Sequence, residues 1–202
     1  MKLFKKTKVE PTKLAIMASG RGSNFEALYA AIKNEKLNAE IKVLVSDNPE
    51  SGALTSANNK NIPAECCNRK SYSSKEQFEI ALISKINEYD TDLIILAGYM
   101  RILGKEFVDT FEGKILNIHP SLLPSFPGLH AQKQALDYGV KYSGCTVHYV
   151  DAGLDSGPII MQRTVPVLDN DTEKTLSLRI LKEEHDIYWR AIKLITESKL
   201  HN

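Results

Sequence analysis

The stretch Lys13–Ile32, KLAIMASGRGSNFEALYAAI, decides the fold. Lys13–Ala18 is a short apolar run and Ser19–Asn24 a glycine-rich turn. Phe25, Leu28, Tyr29 and Ile32 then recur at helical spacing. This order predicts strand, loop and helix. A helix N-terminus offers unpaired N–H groups and the positive end of a dipole, which favours an anion. Glycines let a phosphate come close to the backbone. The dinucleotide fingerprint G-x-G-x-x-G fits only in part. Its third place needs a small residue so that helix and strand can pack, and here it is Phe25. Asp47, at the end of the next strand, does stand roughly where a ribose-binding acid would, about 20 residues on. The loop G-x-x-x-x-G-K-[ST] is absent. Ser23 and Asn24 add a hydroxyl and a carboxamide, so Gly22, Ser23 and Asn24 suit a single phosphate better than a dinucleotide. The alternative is a glycine turn that only caps the helix.

Outward from this unit, strands are expected at Ile41–Ser46, Pro63–Cys67, Leu93–Ala97 and Lys114–Ile118. Helices are expected at Leu54–Asn61, after Ser73 or Ser74 with Phe78, Leu82, Ile86 and Tyr89 on the buried stripe, and after Gly104. Leu93–Ala97 is continuously apolar, as a parallel strand covered on both faces should be. Alternating strands and helices predict an α/β fold, one three-layer αβα domain with a mostly parallel sheet. A helix near Gln132–Tyr138 precedes the strands Cys145–Val150 and Pro158–Val167. Their connection is too short for a parallel crossover, so they should add an antiparallel element. A last helix spans about Thr172–Glu197.

The chain has 202 residues, 43% hydrophobic and 25% charged, ordinary for a globular domain. Lys+Arg 26 against Asp+Glu 25 gives a net charge of +1. That balance excludes a broad basic face for nucleic acid and a disordered acidic tail. Three cysteines, Cys66, Cys67 and Cys145, make neither a disulfide framework nor a metal-ligand spacing. They read as reduced thiols, and no metal is expected. No apolar run approaches the roughly 20 residues of a membrane span. Lys2, Lys5, Lys6 and Lys8 are followed by no apolar stretch, so Met1–Pro11 reads as a mobile basic extension rather than a secretory signal. The expectation is a cytoplasmic protein, with residues 12–110 as a phosphate-binding half and 111–202 as a catalytic half.

Asn117 and His119 lie two apart at the end of a buried strand, so both side chains share one face. In open α/β sheets ligands bind beyond the carboxyl ends of strands. A carboxamide beside an imidazole there suits polarising a carbonyl and holding an oxyanion. The alternative is a polar pair that ties down the proline-rich segment His119–Gly128. Asp155, in the turn Gly153–Gly157, could hold an imidazolium or accept a proton, or simply form the turn. His148 faces either the cleft or the core. Glu184 falls on one stripe with Ile180, Ile187 and Ala191, where a carboxylate needs a partner. His185 is ambiguous in the same way, and Trp189 reads as core.

The segments ASGRGSNFEAL, LAGYMRIL, NIHPSLLPSFPG and GCTVHYVDAGLDSGPII, in this order and spacing, resemble the phosphoribosylglycinamide formyltransferases. The resemblance covers about Leu14–Ile195. It implies a Rossmann-like domain with a seven-stranded sheet that transfers the formyl group of 10-formyltetrahydrofolate to the amine of glycinamide ribonucleotide. It implies that Gly22, Ser23 and Asn24 bind the phosphate and that Glu184 holds the ribonucleotide. Met100, Arg101, Ile102 and Leu103, the turn Asp151, Ala152, Gly153, Leu154, and Lys75 match folate-binding positions. Lys75 stands where relatives often have arginine. Asn117, His119 and Asp155 match the catalytic trio, and His148 a further active-site histidine. The implied partners are these two small molecules, with no nucleic acid, no membrane and a monomeric or homodimeric state. The rival readings are a 10-formyltetrahydrofolate hydrolase, a transfer-RNA formylating enzyme, a nicotinamide oxidoreductase and a non-catalytic nucleotide-binding module.

Overall fold

A computed structural model describes residues 10–198. The basic extension expected at the N-terminus therefore lies, through residue 9, outside the described residues. The strands are β1 (Thr12–Met17), β2 (Ala39–Ser46), β3 (Ala64–Cys66), β4 (Leu93–Leu96), β5 (Ile115–His119), β6 (Tyr142–Tyr149) and β7 (Ile159–Pro166). The helices are α1 (Ser23–Lys33), α2 (Gly52–Asn59), α3 (Lys75–Asn87), α4 (Lys105–Thr110), α5 (Ala131–Tyr138) and α6 (Glu173–Ser198). They make the α/β fold expected from the alternation.

One sheet of seven strands runs in the order β3-β2-β1-β4-β5-β6-β7. The pairs from β3 to β5 are parallel, and β5–β6 and β6–β7 are antiparallel. The direction of winding reverses between β1 and β4. A switch point of this kind leaves a crevice at the carboxyl ends of the two strands. Ser19 spans it: its N–H donates to the Gly98 carbonyl at 3.1 Å, and its Oγ accepts from the Met100 N–H at 2.9 Å.

Period-two alternation divides the core. Leu14, Ile16 and Ala18 face a cluster with Phe25 and Leu28 of α1 and Ile180, Ile187 and Ala191 of α6. Ala15 and Met17 face the other cluster, with Phe78, Leu82 and Ile86 of α3 and Phe107 of α4. Trp189 is half-buried against the first cluster, with the Arg190 guanidinium 4.5 Å from its ring centroid. Tyr188 is fully buried and satisfies its hydroxyl on the Leu96 and Leu116 carbonyls at 2.9 and 3.0 Å.

Two of the boundaries that differ from expectation have a local reason. α2 starts at Gly52, two residues early, because Ser51 Oγ and the Ala53 N–H both donate to the Gly20 carbonyl at 2.8 and 3.2 Å. β6 starts at Tyr142 because β7 pairs it out to Pro166. In α3 it is Ser74 that caps, its Oγ accepting from the Gln77 N–H at 3.2 Å. Cys67 and Cys145 are buried and Cys66 exposed; all three are free, and burial pushes each thiol up. Among the described residues no helix is long and apolar enough to cross a membrane.

Candidate active site

β5 ends at His119 and carries Asn117 and His119 on the face that Ile115 shares with α3 and α4. The antiparallel β6 sets His148 directly opposite Asn117, so the two side chains point the same way. The β6–β7 register slips between Val147 and His148, an irregularity of the kind that re-aims side chains beside sites. The segments 120–130 and 150–158 close over these groups, leaving His119 and His148 buried.

Asp155 enters from the second segment with φ 51°, a left-handed conformation that aspartate tolerates better than most residues. Its Oδ2 accepts from the Gly128 N–H at 2.8 Å and lies 3.3 Å from His119 Nδ1. Its Oδ1 lies 3.5 Å from Asn117 Nδ2 and 3.7 Å from His148 Nε2. His119 Nε2 donates to the Phe126 carbonyl at 2.9 Å, because a carbonyl can only accept. Both nitrogens of His119 therefore have an oxygen close by, the Phe126 carbonyl in a hydrogen bond and the Asp155 carboxylate at ion-pair distance. His148 is the opposite case. Its Nδ1 donates to the Tyr149 carbonyl at 2.8 Å, so Nε2 is free to accept from Asn117 Nδ2 at 3.2 Å. Burial lowers the pKa of His148 and favours this neutral tautomer. Four polar side chains, Asn117, His119, His148 and Asp155, thus form one connected cluster.

A second cluster lies at the glycine loop. Gly22 caps α1 with φ 82°, and a Cβ on it would stand 2.7 Å from Ala53 Cβ. The loop thus needs glycine for both conformation and space. No side chain caps α1, and the N–H groups of its first turn have no acceptor inside the helix. Asn24 Nδ2 donates to Glu184 Oε2 at 2.9 Å. Glu184 is only 8% exposed, and burial raises its pKa against the pull of that one donor. Asn24 Oδ1 is buried with no hydrogen-bond partner. The stripe on α6 therefore found its partner in the glycine loop. His185, the next residue, goes elsewhere: it lines a groove of about 260 Å³ with Lys36, Lys182 and Trp189.

Between the clusters stand exposed apolar side chains. Met100 and Ile102 are each 71% exposed and Leu154 55%. The segment bearing Met100–Leu103 is nevertheless fastened. Asp47 Oδ2 accepts from Arg101 Nε at 2.5 Å, and Glu79 Oε1 from the Gly104 N–H at 2.7 Å. Asp47 is thus committed to Arg101. On the turn Asp151–Leu154, Asp151 Oδ1 accepts from the Gly153 N–H at 3.0 Å and Ser156 Oγ at 2.8 Å. Lys75 is half-exposed, its Nζ 3.6 Å from Glu79. Among the described residues no group of three or more His, Cys, Asp or Glu could hold a metal ion.

Sequence reasoning passed over Ser19, Glu79, Thr146 and Gln162. Thr146 Oγ1 donates to the Ser121 carbonyl at 2.7 Å, and Gln162 Nε2 donates to the Leu123 carbonyl at 2.9 Å, tying the proline-rich segment to β6 and β7. Glu79 carried a readable signal, since it lies on the helical stripe of Leu82 and Ile86 just as Glu184 lies on that of Ile180 and Ile187.

The formyl transferase family profile matches residues 12–192. The chain belongs to the formyl transferase family. It is similar to the phosphoribosylglycinamide formyltransferase of Bacillus subtilis strain 168, 46% identical over 181 residues that cover 90% of this chain and 93% of that one. It is also similar to the human trifunctional purine biosynthetic protein adenosine-3, 42% identical over 183 residues. That match covers 91% of this chain but 18% of the longer protein. The fold of this formyltransferase superposes on the crystal structure of glycinamide ribonucleotide transformylase 1 from Symbiobacterium toebii with a TM-score of 0.92 and 42% identity. The superposition covers 96% of this chain and 92% of that one.

Proposed function

We propose that this formyltransferase moves the formyl group of 10-formyltetrahydrofolate to the amine of glycinamide ribonucleotide, a step of purine biosynthesis, with Asn117, His119 and Asp155 as the catalytic trio. The observation that carries this reading is the pair of acceptors on His119: the Phe126 carbonyl at 2.9 Å and the Asp155 carboxylate at 3.3 Å. An imidazolium held this way is a fixed positive group beside a carboxamide, which suits an oxygen that gains negative charge.

The amine nitrogen attacks the formyl carbon, and the carbonyl oxygen becomes an oxyanion stabilised by Asn117 and His119. The new C–N bond forms, the bond to the folate nitrogen breaks, and the amine proton passes by way of Asp155, directly or through water, to that leaving nitrogen. His148 holds the Asn117 carboxamide. The first-turn N–H groups at Gly22, Ser23 and Asn24 take the phosphate, and Glu184 the ribonucleotide. Met100, Arg101, Ile102 and Leu103 form one wall for the folate, and Asp151, Ala152, Gly153 and Leu154 the other, with Lys75 at the rim. The exposed apolar side chains there support this, since an amphipathic ring system would cover them. Residues 12–110 then supply the phosphate-binding half and 111–202 the catalytic and folate-binding half, in a cytoplasmic monomer or homodimer.

The test is a formyl-transfer assay with 10-formyltetrahydrofolate, glycinamide ribonucleotide present or omitted. Turnover that requires the ribonucleotide is expected. Release of the formyl group at the same rate without it would replace this reading with hydrolysis.

A further inference from the structure

The Met100–Gly104 segment is fastened at three points, by Ser19, Asp47 and Glu79. Glu79 differs from the other two because it also joins the segment to a cation on its own helix, Lys75. Its Oε1 accepts from the Gly104 N–H at 2.7 Å and lies 3.6 Å from Lys75 Nζ. We propose that Glu79 is a positioning residue for the folate, one buried carboxylate that fixes the Met100–Leu103 wall and the Lys75 ammonium together. This rests on the formyl-transfer reading and adds to it a residue that need not touch either substrate.

The placement of Glu79 supports a directed role. It is buried on α3 beside Phe78 and Leu82, where a carboxylate is costly unless donors meet it. It has one backbone N–H donor, Gly104, and the Lys75 ammonium at ion-pair distance to offset its charge. Gly104 is matched to it: a Cβ there would run into both carboxylate oxygens of Glu79. The close approach thus depends on glycine at one place and glutamate at the other. Without the carboxylate, the Gly104 N–H loses its acceptor and Lys75 its counter-charge. The wall is then free to shift relative to α3. His119, Asp155 and the Asn24–Glu184 pair are untouched, so the effect should fall on folate alone.

Steady-state kinetics with both substrates varied test this. Glu79→Ala is expected to raise the KM for 10-formyltetrahydrofolate by about tenfold, or about 1.4 kcal/mol. The ribonucleotide KM and kcat should stay within about twofold of wild type. Glu79→Gln keeps an acceptor for Gly104 and should recover most of the loss. Gly104→Ala should reproduce the defect by expelling the carboxylate, and the double variant should be no worse than either single one. Unchanged folate KM, an equal rise in both KM values, or additive single effects would overturn the proposal. If Glu79→Ala fails to give a cooperative melt, Gly104→Ala decides by the same split. A wild type that transfers formyl beside an indifferent variant sinks only this proposal, whereas a silent wild type sinks the functional reading as well.

Discussion

Asp155 and Glu184 are both largely hidden acids in the same protein, yet they are solvated in different ways. The Asp155 side chain is 12% exposed and has the Gly128 N–H at 2.8 Å, His119 Nδ1 at 3.3 Å and Asn117 Nδ2 at 3.5 Å around it. Glu184 is buried against the apolar stripe of α6 and has the Asn24 carboxamide, with burial raising its pKa. A carboxylate with several polar groups around it is placed to exchange a proton with a neighbour. One that is desolvated and thinly partnered holds its place better as an acceptor for hydroxyl groups. The proposed division, chemistry at the antiparallel end of the sheet and binding at the glycine loop, rests on this difference.

The largest expected effect is in the first cluster. Asp155→Asn keeps the shape but not the charge facing His119, and should lower kcat by roughly 10²–10⁴. Asn117→Ala and His119→Ala each remove one group proposed to stabilise the oxyanion and should cost about 2.7–4 kcal/mol, or roughly 10²–10³ in kcat. Ribonucleotide KM should change little in all three. Wild-type kcat in any of them would remove that residue from the trio.

A smaller effect belongs to Glu184. Glu184→Gln keeps an acceptor for Asn24 and should raise the ribonucleotide KM by about tenfold, with kcat restored at saturation. It should also change the pH dependence of stability. The folded pKa of Glu184 lies above its ordinary value of 4.5, so the folded chain binds that proton more tightly. Stability from this group is present below 4.5 and is lost as pH rises through the folded pKa. Glutamine removes that loss. Thermal melts across this range should fall less steeply for the variant, each kcal/mol recovered being worth about 2–4 °C.

The smallest effect concerns His148. Its folded pKa is lowered from 6.5 by burial, so stability present above 6.5 is lost as pH falls toward the folded value. Protonation also sets a donor against Asn117 Nδ2. Melting of His148→Gln between pH 7 and 5 should lose less stability than wild type; equal slopes would argue against a buried neutral ring.

The strand–loop–helix unit was legible because a continuous apolar run gives way, after a glycine turn, to apolar residues at helical spacing within Lys13–Ile32. Asn117 and His119 were legible as a same-face pair because strand side chains alternate with period two. Asp155 was legible only through the family resemblance, since a turn aspartate looks alike whether it faces solvent or a histidine. Its meaning depends on a left-handed backbone and on Gly128, 27 residues away. Glu184 could be flagged as a misfit on α6, but its Asn24 partner is 160 residues distant and needed the fold. Thr146 and Gln162 looked like ordinary strand residues. Their work is hydrogen bonding to a proline-rich segment that local pattern cannot place.

The division of labour between the two acids is tested most directly by Asp155→Asn and Glu184→Gln side by side, with initial rates measured across ribonucleotide concentration at saturating 10-formyltetrahydrofolate. A plateau for Asp155→Asn lowered at least about 100-fold with its midpoint unmoved is expected, and a wild-type plateau for Glu184→Gln reached at higher concentration. A wild-type plateau for Asp155→Asn, or a lowered plateau for Glu184→Gln with its midpoint in place, would contradict it.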